Sequence, residues 1–333
     1  MLHRLAAPLF LAASLLSWAG ATHAADAYVA EKATKITIGT GVRVRAAPSA
    51  GAREVGKLPL GTDFTSTQRT AAKAKIGGQT DYWRQLDTPL KGWVFGGLLR
   101  NFDPAKADEA RVALARDKLG PADKLYDSYE HKSPLSFADA VEVSDFASRA
   151  AASSKNPVAQ GELELAHWRA MQIALFSIPM ESTAKPPYAA WIKQQGKNVF
   201  YTEPSAEYLV DPRNYWKLAD RHKQDAIGDA IAWQAANAFV GGECEGFISC
   251  MSARSQMMEG EYLKRYPKGK HVEEALQDVN GNLEYIRKEW KNQPDEQKDV
   301  GLKAWQAILA PLPDSKAART ARQHLKALQA LRQ

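Results

Sequence analysis

The sequence predicts a multidomain chain, a small all-β module followed by a larger all-α helical region. Three observations carry that prediction. Val42-Arg43-Val44-Arg45 alternates apolar and charged residues and stops at Pro48, the pattern of a half-buried strand running into a turn. Gly56, Gly61, Gly77-Gly78 and Gly96-Gly97 punctuate short strand-like runs as far as Phe102, at turns that tolerate positive φ. From Asp103 onward Ala-rich 3.6-residue periodicity takes over, and polar capping residues followed by proline mark successive helix starts.

The chain opens with a targeting pattern over residues 1–24. Arg4 supplies a positive start, Leu5 to Trp18 form a short apolar run, and small residues converge on Ala19-Gly20-Ala21 and Thr22-His23-Ala24. This predicts a secretory signal peptide, too short and wrongly flanked for a membrane span. No later stretch approaches the roughly 18 apolar residues that a span needs, so no integral membrane span is expected. No cysteine stands at the cleavage region to carry a lipid.

Residues 35–102 read as short strands. Val42 and Val44 point inward and leave Arg43 and Arg45 on the other face. Evenly spaced short strands with Gly-rich turns suggest a small barrel. The tract Thr70-Ala71-Ala72-Lys73-Ala74-Lys75 reads as an exposed loop. The module is basic: residues 26–102 carry 12 Lys+Arg against 6 Asp+Glu, whereas everything after 102 carries 31 against 32. A basic face favours anionic partners; the plainer alternative is a solvated, well-charged surface. The export signal argues against nucleic acid as the partner.

The strand Val42-Arg43-Val44-Arg45 with Pro48-Ser49, the turn Gly56-Lys57-Leu58-Pro59-Leu60-Gly61-Thr62, the run Tyr82-Trp83-Arg84-Gln85-Leu86 and Gly92-Trp93-Val94-Phe95 together resemble a bacterial SH3 domain. The resemblance implies a barrel without catalytic residues of its own, attached to another functional region and binding a cell-wall peptide. It also implies the periplasm. In such barrels an aromatic-lined groove does the binding, and Tyr82, Trp83 and Phe95 are the local candidates, with Arg43 or Arg45 available for a carboxylate. The alternative is that Trp93 and one of Tyr82 and Trp83 fill the barrel core.

Residues 103–333 read as helices. Asp103-Pro104, Ser133-Pro134, Asn156-Pro157 and Asp211-Pro212 are predicted helix starts. Val141 with Phe146, Ala147 and Ala150 forms one apolar set, and Leu163 to Phe176 is apolar nearly all round, which predicts burial. Thr183 to Pro204, with Pro186-Pro187 and Gly196, reads as a long loop or broken helix. Val272, Ala275, Leu276, Val279, Leu283, Ile286 and Trp290 keep helical spacing, as do Leu302, Trp305, Leu309 and Leu312, and then Ala321, Leu325 and Leu328. Pro267 with Ala275 echoes Pro313 with Ala321 at an offset of 46 residues. Paired antiparallel helices stacked over 213–333 follow, a pattern similar to tetratricopeptide arrays; a plain helical bundle is the alternative.

Two cysteines, Cys244 and Cys250, stand six apart. In an exported chain they predict one disulfide pinning the turn between two helices. Gly242-Glu243-Cys244-Glu245-Gly246-Phe247 also resembles the nucleophile neighbourhood of NlpC/P60 cell-wall peptidases, which implies Cys244 as nucleophile and His271 as base. Against it, the residues around His271 read as a helix where that family has a strand. Glu164 and His167 have the spacing of a di-iron ligand pair, but no second copy exists. The seven histidines show no zinc spacing, and no phosphate loop or dinucleotide fingerprint appears, so no metal or cofactor is expected. The resulting expectation is a non-catalytic periplasmic binding or scaffold protein whose partner is a cell-wall peptide or an envelope protein. Its rivals are the cysteine peptidase and an inhibitor or immunity protein that inserts a loop, Thr183–Pro204 or Thr70–Lys75, into a wall-degrading enzyme.

Overall fold

The structure, a computed structural model, describes residues 27–125, 135–203 and 206–332. The signal peptide and the Ser133-Pro134 helix start lie outside the described residues. An antiparallel sheet region comes first and a helical region follows, as the sequence predicts at that level.

Nine strands build the first region: β1 (Tyr28–Thr37), β2 (Val42–Arg45), β3 (Glu54–Leu58), β4 (Asp63–Thr70), β5 (Ala74–Ile76), β6 (Gln79–Asp81), β7 (Trp83–Leu86), β8 (Gly92–Phe95) and β9 (Leu99–Asn101). Seven of them form one sheet in the order β3-β2-β8-β7-β4-β1-β9, and β5–β6 is a separate two-stranded hairpin. Val42 and Val44 are buried and Arg43 is exposed, as the alternation requires. They pack with Leu58, Phe64, Leu86 and Val94, and Leu99 lies against the same cluster. Leu58 and Leu99 come from opposite ends of the strand order, so the sheet curls round this small core.

Strand geometry ends at Asn101, and Asp103 accepts from the Ala105 amide to start a short helical turn leading into α1 (Ala107–Leu119). The change of secondary structure is not a break in packing. Ile36, Leu60 and Phe102 of the sheet region sit in one core with Val112, Leu114, Phe146 and Leu163, from α1, α2 (Phe137–Ser153) and α3 (Pro157–Phe176). The Glu142 carboxylate accepts from Gly41 N at 2.9 Å and Leu60 N at 2.6 Å. Thr40 donates to Asp139 beside it. Gly61, at φ +74°, lies so close to Phe146 that a Cβ would stand 2.2 Å from the ring.

Helix starts follow the predicted chemistry where described. Asn156 and Asp211 cap α3 and α5 (Pro212–Arg221), each with proline in the first turn. Helix α2 is capped by Ser136 instead, whose hydroxyl accepts from Asp139 N and donates to the Asp139 carboxylate at 2.6 Å. Helix α3 is buried nearly all round, and two of its charged members, Glu162 and Arg169, are paired. Glu162 binds Arg116 at 2.7 Å, and Arg169 donates to the carbonyls of Leu119, Pro121 and Lys124 at 2.8–2.9 Å, tying down the end of α1.

The stretch read as a loop or broken helix contains α4 (Tyr188–Gln195) and then β10 (Val199–Thr202), paired with β11 (Glu207–Val210). Val199-Phe200-Tyr201-Thr202 is a β-branched and aromatic run, and that propensity prevails once Gly196 has ended the helix. The remaining helices are α6 (Gly228–Ala236), α7 (Ile248–Ser255), α8 (Glu261–Arg265), α9 (Val272–Glu289), α10 (Leu302–Leu309) and α11 (Lys316–Leu331); one π-helical stretch, Gln256–Gly260, joins α7 to α8. Their apolar stripes close the largest core of the molecule, which includes Tyr262, Trp290 and Trp305. Helix α9 packs on α7 and α11, and α10 packs on α8 and α11. Among the described residues no helix is long and apolar enough to cross a membrane.

Candidate functional site

Strand pairing decides which predicted site residues meet. Along β7, Trp83 and Gln85 alternate with Arg84 and Leu86; along β8, Trp93 and Phe95 alternate with Val94. The register pairs Trp83 with Phe95, Gln85 with Trp93, and Arg45 with Trp93. Cross-strand partners share a face, so Arg45, Trp83, Gln85, Trp93 and Phe95 lie together on one side of β2–β8–β7. Val44, Leu86 and Val94 occupy the other side and form the small core. The aromatic side is therefore the outer face of the curled sheet. Arg43, two residues before Arg45, falls at its edge with its side chain 61% exposed and 3.3 Å from Glu54. Arg45 donates to Ala52 O at 2.8 Å.

On this face Trp83 and Phe95 meet edge to face at 5.8 Å between centroids, and Tyr28 tilts against Trp93 at 5.0 Å. Gln68 bonds the Gln85 amide. A row of aromatic rings bordered by amides and by two arginines can hold a ligand with an apolar face and a carboxylate.

The expected groove is covered. Trp83, Trp93 and Phe95 are only 4–5% exposed: Ala74 and Ile76 of the β5–β6 hairpin pack over them, and Tyr28 lies against Trp93. The tract Thr70–Lys75 is thus not a free loop. It ends β4 and begins the hairpin, whose tip is Gly77-Gly78 at φ +55° and +82°. Gly96 and Gly97 serve a different need from the positive φ expected of them. Arg84 and Asp81 pass over Gly96, and the Gln79 amide lies over Gly97, where a Cβ would stand 2.3 Å from Gln79 Oε1.

Tyr82 is set apart from the face. Its ring lies beneath the Arg69 guanidinium at 4.0 Å, with Lys73 Nζ at 5.4 Å and Arg84 at 6.0 Å. Arg84 also binds Asp81 at 3.0 Å and approaches Glu31 at 3.3 Å. Burial first, and then the neighbouring Arg84 charge, lowers the Lys35 pKa in this network.

The other candidates are not brought together. Cys244 and Cys250 are bonded to each other, with Cα atoms 5.4 Å apart. The Cys244 loop lies near Tyr285 toward the end of α9, where Cys244, Met251, Arg254, Asn282 and Tyr285 line an open cleft of about 390 Å³. His271 caps the opposite end of α9, stacks on Trp233 at 4.6 Å and bonds Glu274 at 2.7 Å. At about 1.5 Å per residue, the 14 positions from His271 to Tyr285 hold it roughly 20 Å from the cysteines. His167 bonds Ser144 at 2.8 Å across α2–α3, and Glu164 binds Arg221. Among the described residues no group of three or more His, Cys, Asp or Glu is arranged to hold a metal ion.

No family model, curated protein or solved structure matches this chain. One feature of the site escapes the local sequence pattern and another carries a local signal. Trp93 reads as core until the register puts it beside Arg45. The β5–β6 hairpin was signalled by Gly77-Gly78, the dipeptide of a tight hairpin turn.

Proposed function

We propose that this chain is a non-catalytic binding or scaffold protein of the cell envelope, exported to the periplasm. Its sheet region is a barrel of the bacterial SH3 type that takes a cell-wall peptide or an envelope protein. Its C-terminal helices are a tetratricopeptide-like array offered to a second partner. The observation that carries the reading is the outer face itself. Arg45, Trp83, Gln85, Trp93 and Phe95 converge there, with Arg43 at the rim, on a side of the sheet that the small core does not use. The pairing of α8 with α10 and of α9 with α11 supports the array, because successive hairpins then stack like on like.

Sedimentation of the mature protein with purified cell-wall sacculi tests the first role. Wild type is expected to pellet with the sacculi, and the attraction to weaken with salt, because exposed charges are screened over about 8–10 Å near physiological ionic strength. Arg43→Glu and Arg45→Glu are each expected to weaken binding several-fold. Binding that is unchanged in both variants and indifferent to salt removes the outer face from the proposal.

A further inference from the structure

We infer that the β5–β6 hairpin is a lid, and that the aromatic face beneath it is a ligand site exposed only when the lid lifts. The inference rests on the ligand-binding reading of the outer face and adds how that face is regulated. Four features of the hairpin support it.

First, β5 and β6 pair only with each other and join no strand of the seven-stranded sheet. Second, the hairpin contributes only two smaller apolar side chains, Ala74 and Ile76, to the cover over three large aromatic rings, and both are only partly buried; Tyr28 of β1 lies against Trp93 as well. Third, the turn itself is open, since a Cβ at Gly77 or Gly78 would have nothing within 4 Å, and the hairpin rests on the Gly96–Leu98 turn through β6, where the Gln79 side chain lies over Gly97. Fourth, the two feet are fixed. Thr70 Oγ1 donates to Ala72 O at 2.8 Å and accepts from Trp83 N at 3.2 Å, and the Asp81 carboxylate accepts from Tyr82 N at 2.7 Å and from Arg84 at 3.0 Å. The arm from Lys73 to Thr80 can therefore swing between fixed feet while the seven-stranded ladder stays intact, as loop lids do. A lifted arm uncovers Trp83, Phe95 and the part of Trp93 that Tyr28 does not cover, beside Gln85 and Arg45.

A closed lid lowers apparent affinity in proportion to the fraction open. Loosening it without touching the face should therefore tighten binding, the reverse of what a merely structural hairpin predicts. Ile76→Ser removes most of the apolar cover, and burial energetics put the gain in open fraction at about tenfold. Gln79→Ala frees the tip while leaving the apolar cover in place, and should shift the same quantities by roughly threefold. The test uses the full mature chain with three readouts: hydroxyl-radical oxidation of Trp83 and Trp93 mapped by mass spectrometry, amide exchange in β7 and β8, and affinity for cell-wall sacculi. The expected result is faster oxidation of both indoles with unchanged amide exchange, and affinity raised by up to the same factor. Oxidation that rises only together with exchange in β7 and β8, in both variants, makes the hairpin part of the fold's core and overturns the lid. Accessible indoles with unchanged or weaker binding overturn it as a regulator. If wild type does not bind sacculi at all, the cell-wall reading fails, and oxidation and exchange alone decide whether the lid exists.

Discussion

The two regions of this molecule place their aromatic residues in opposite ways. In the helical region Trp305 is fully buried, its indole N–H donating to Ser252 Oγ at 2.8 Å, within a core continuous from α3 to α11. In the sheet region the central core is aliphatic apart from Phe64, while Trp83, Trp93 and Phe95 lie outside it under a detachable hairpin. The first arrangement is what folding asks of a large side chain. The second leaves three large rings where the curled sheet does not need them, and that difference directs the functional reading to the sheet.

The largest expected effect tests this contrast. Trp305→Ala should cost about 3–5 kcal/mol, because a fully enclosed site cannot collapse round the lost ring and Ser252 loses a partner. Trp93→Ala should cost no more than about 2 kcal/mol, since the hairpin can settle onto the vacated space. Urea denaturation followed by circular dichroism measures both. Equal costs would make the outer cluster a second core and dissolve the comparison.

The junction comes next. Gly61→Ala adds a methyl group against Phe146 at a positive φ, and should cost about 2–3 kcal/mol. Limited proteolysis of wild type should give one resistant body spanning Asp103, because the two regions share a core and the Glu142 contacts. Gly61→Ala should open a cut near Asp103. A wild type that splits there without the substitution would show two independent units.

These sites also mark what the sequence made legible. Alternation at Val42–Arg45 announced the strand and its two faces, and capped prolines announced α3 and α5, because those signals are local. Trp83 and Phe95 could be nominated as a pair, but their placement with Trp93 and Arg45 depends on pairings between strands distant in sequence. The cover over them depends on where a hairpin folds back, which composition does not encode. Glu142 reads as one more acid on a helix until Gly41 and Leu60 arrive with their amides.

The disulfide should matter somewhat less than the junction. Cys244 and Cys250 close a loop with a sequence separation of 6, for which the chain-entropy estimate is about 2 kcal/mol. Cys244→Ser with Cys250→Ser should lower helical stability by about that amount. It should also loosen the β10–β11 hairpin, whose Thr202 Oγ1 accepts from Gly242 N at 3.2 Å. Mass mapping of unreduced wild type should find the two cysteines joined, and a double variant as stable as wild type would show the loop already fixed by Arg254, which donates to the Gly241 and Gly242 carbonyls at 2.9 Å.

Acid should act on the junction and on the helical core with opposite sign. Asp139, at the junction, has its pKa lowered from 3.8 by hydrogen bonds from Ser136 and then Thr40. Its contribution is present above pH 3.8 and is lost as pH falls through the lower folded value. Glu259, in the π-helical stretch, has its pKa raised from 4.5 by burial. The folded chain then binds the extra proton between 4.5 and the raised value, so stability declines as pH rises through that interval. Glu259→Gln should lessen the decline above pH 4.5, to which Asp278 also contributes, and leave the loss below 3.8; Asp139→Asn should lessen that loss, which Asp123, Asp211 and Asp295 share, and leave the decline. Urea midpoints recorded across pH 3 to 8 separate the two, and a single shared transition would contradict both assignments.

The smallest expected stability effects belong to the rim arginines, and their smallness is the point. Arg43 makes one exposed pair with Glu54 at 3.3 Å. Exposed pairs contribute roughly 0–1 kcal/mol, so Arg43→Ala should change stability by less than about 0.5 kcal/mol. Arg45 has a firmer structural tie, one hydrogen bond to Ala52 O across the turn after β2, and Arg45→Ala should cost about 1 kcal/mol. Neither side chain contributes to the aliphatic core or the sheet–helix junction. If both variants stay folded at those small costs while affinity for sacculi falls several-fold, the arginines serve the ligand rather than the fold. If Arg43→Ala destabilises the sheet by more than about 1 kcal/mol, its pair with Glu54 pins β2 to the edge strand β3, and the cationic rim is a structural feature of the sheet edge. The comparison would then rest on the aromatic rings alone.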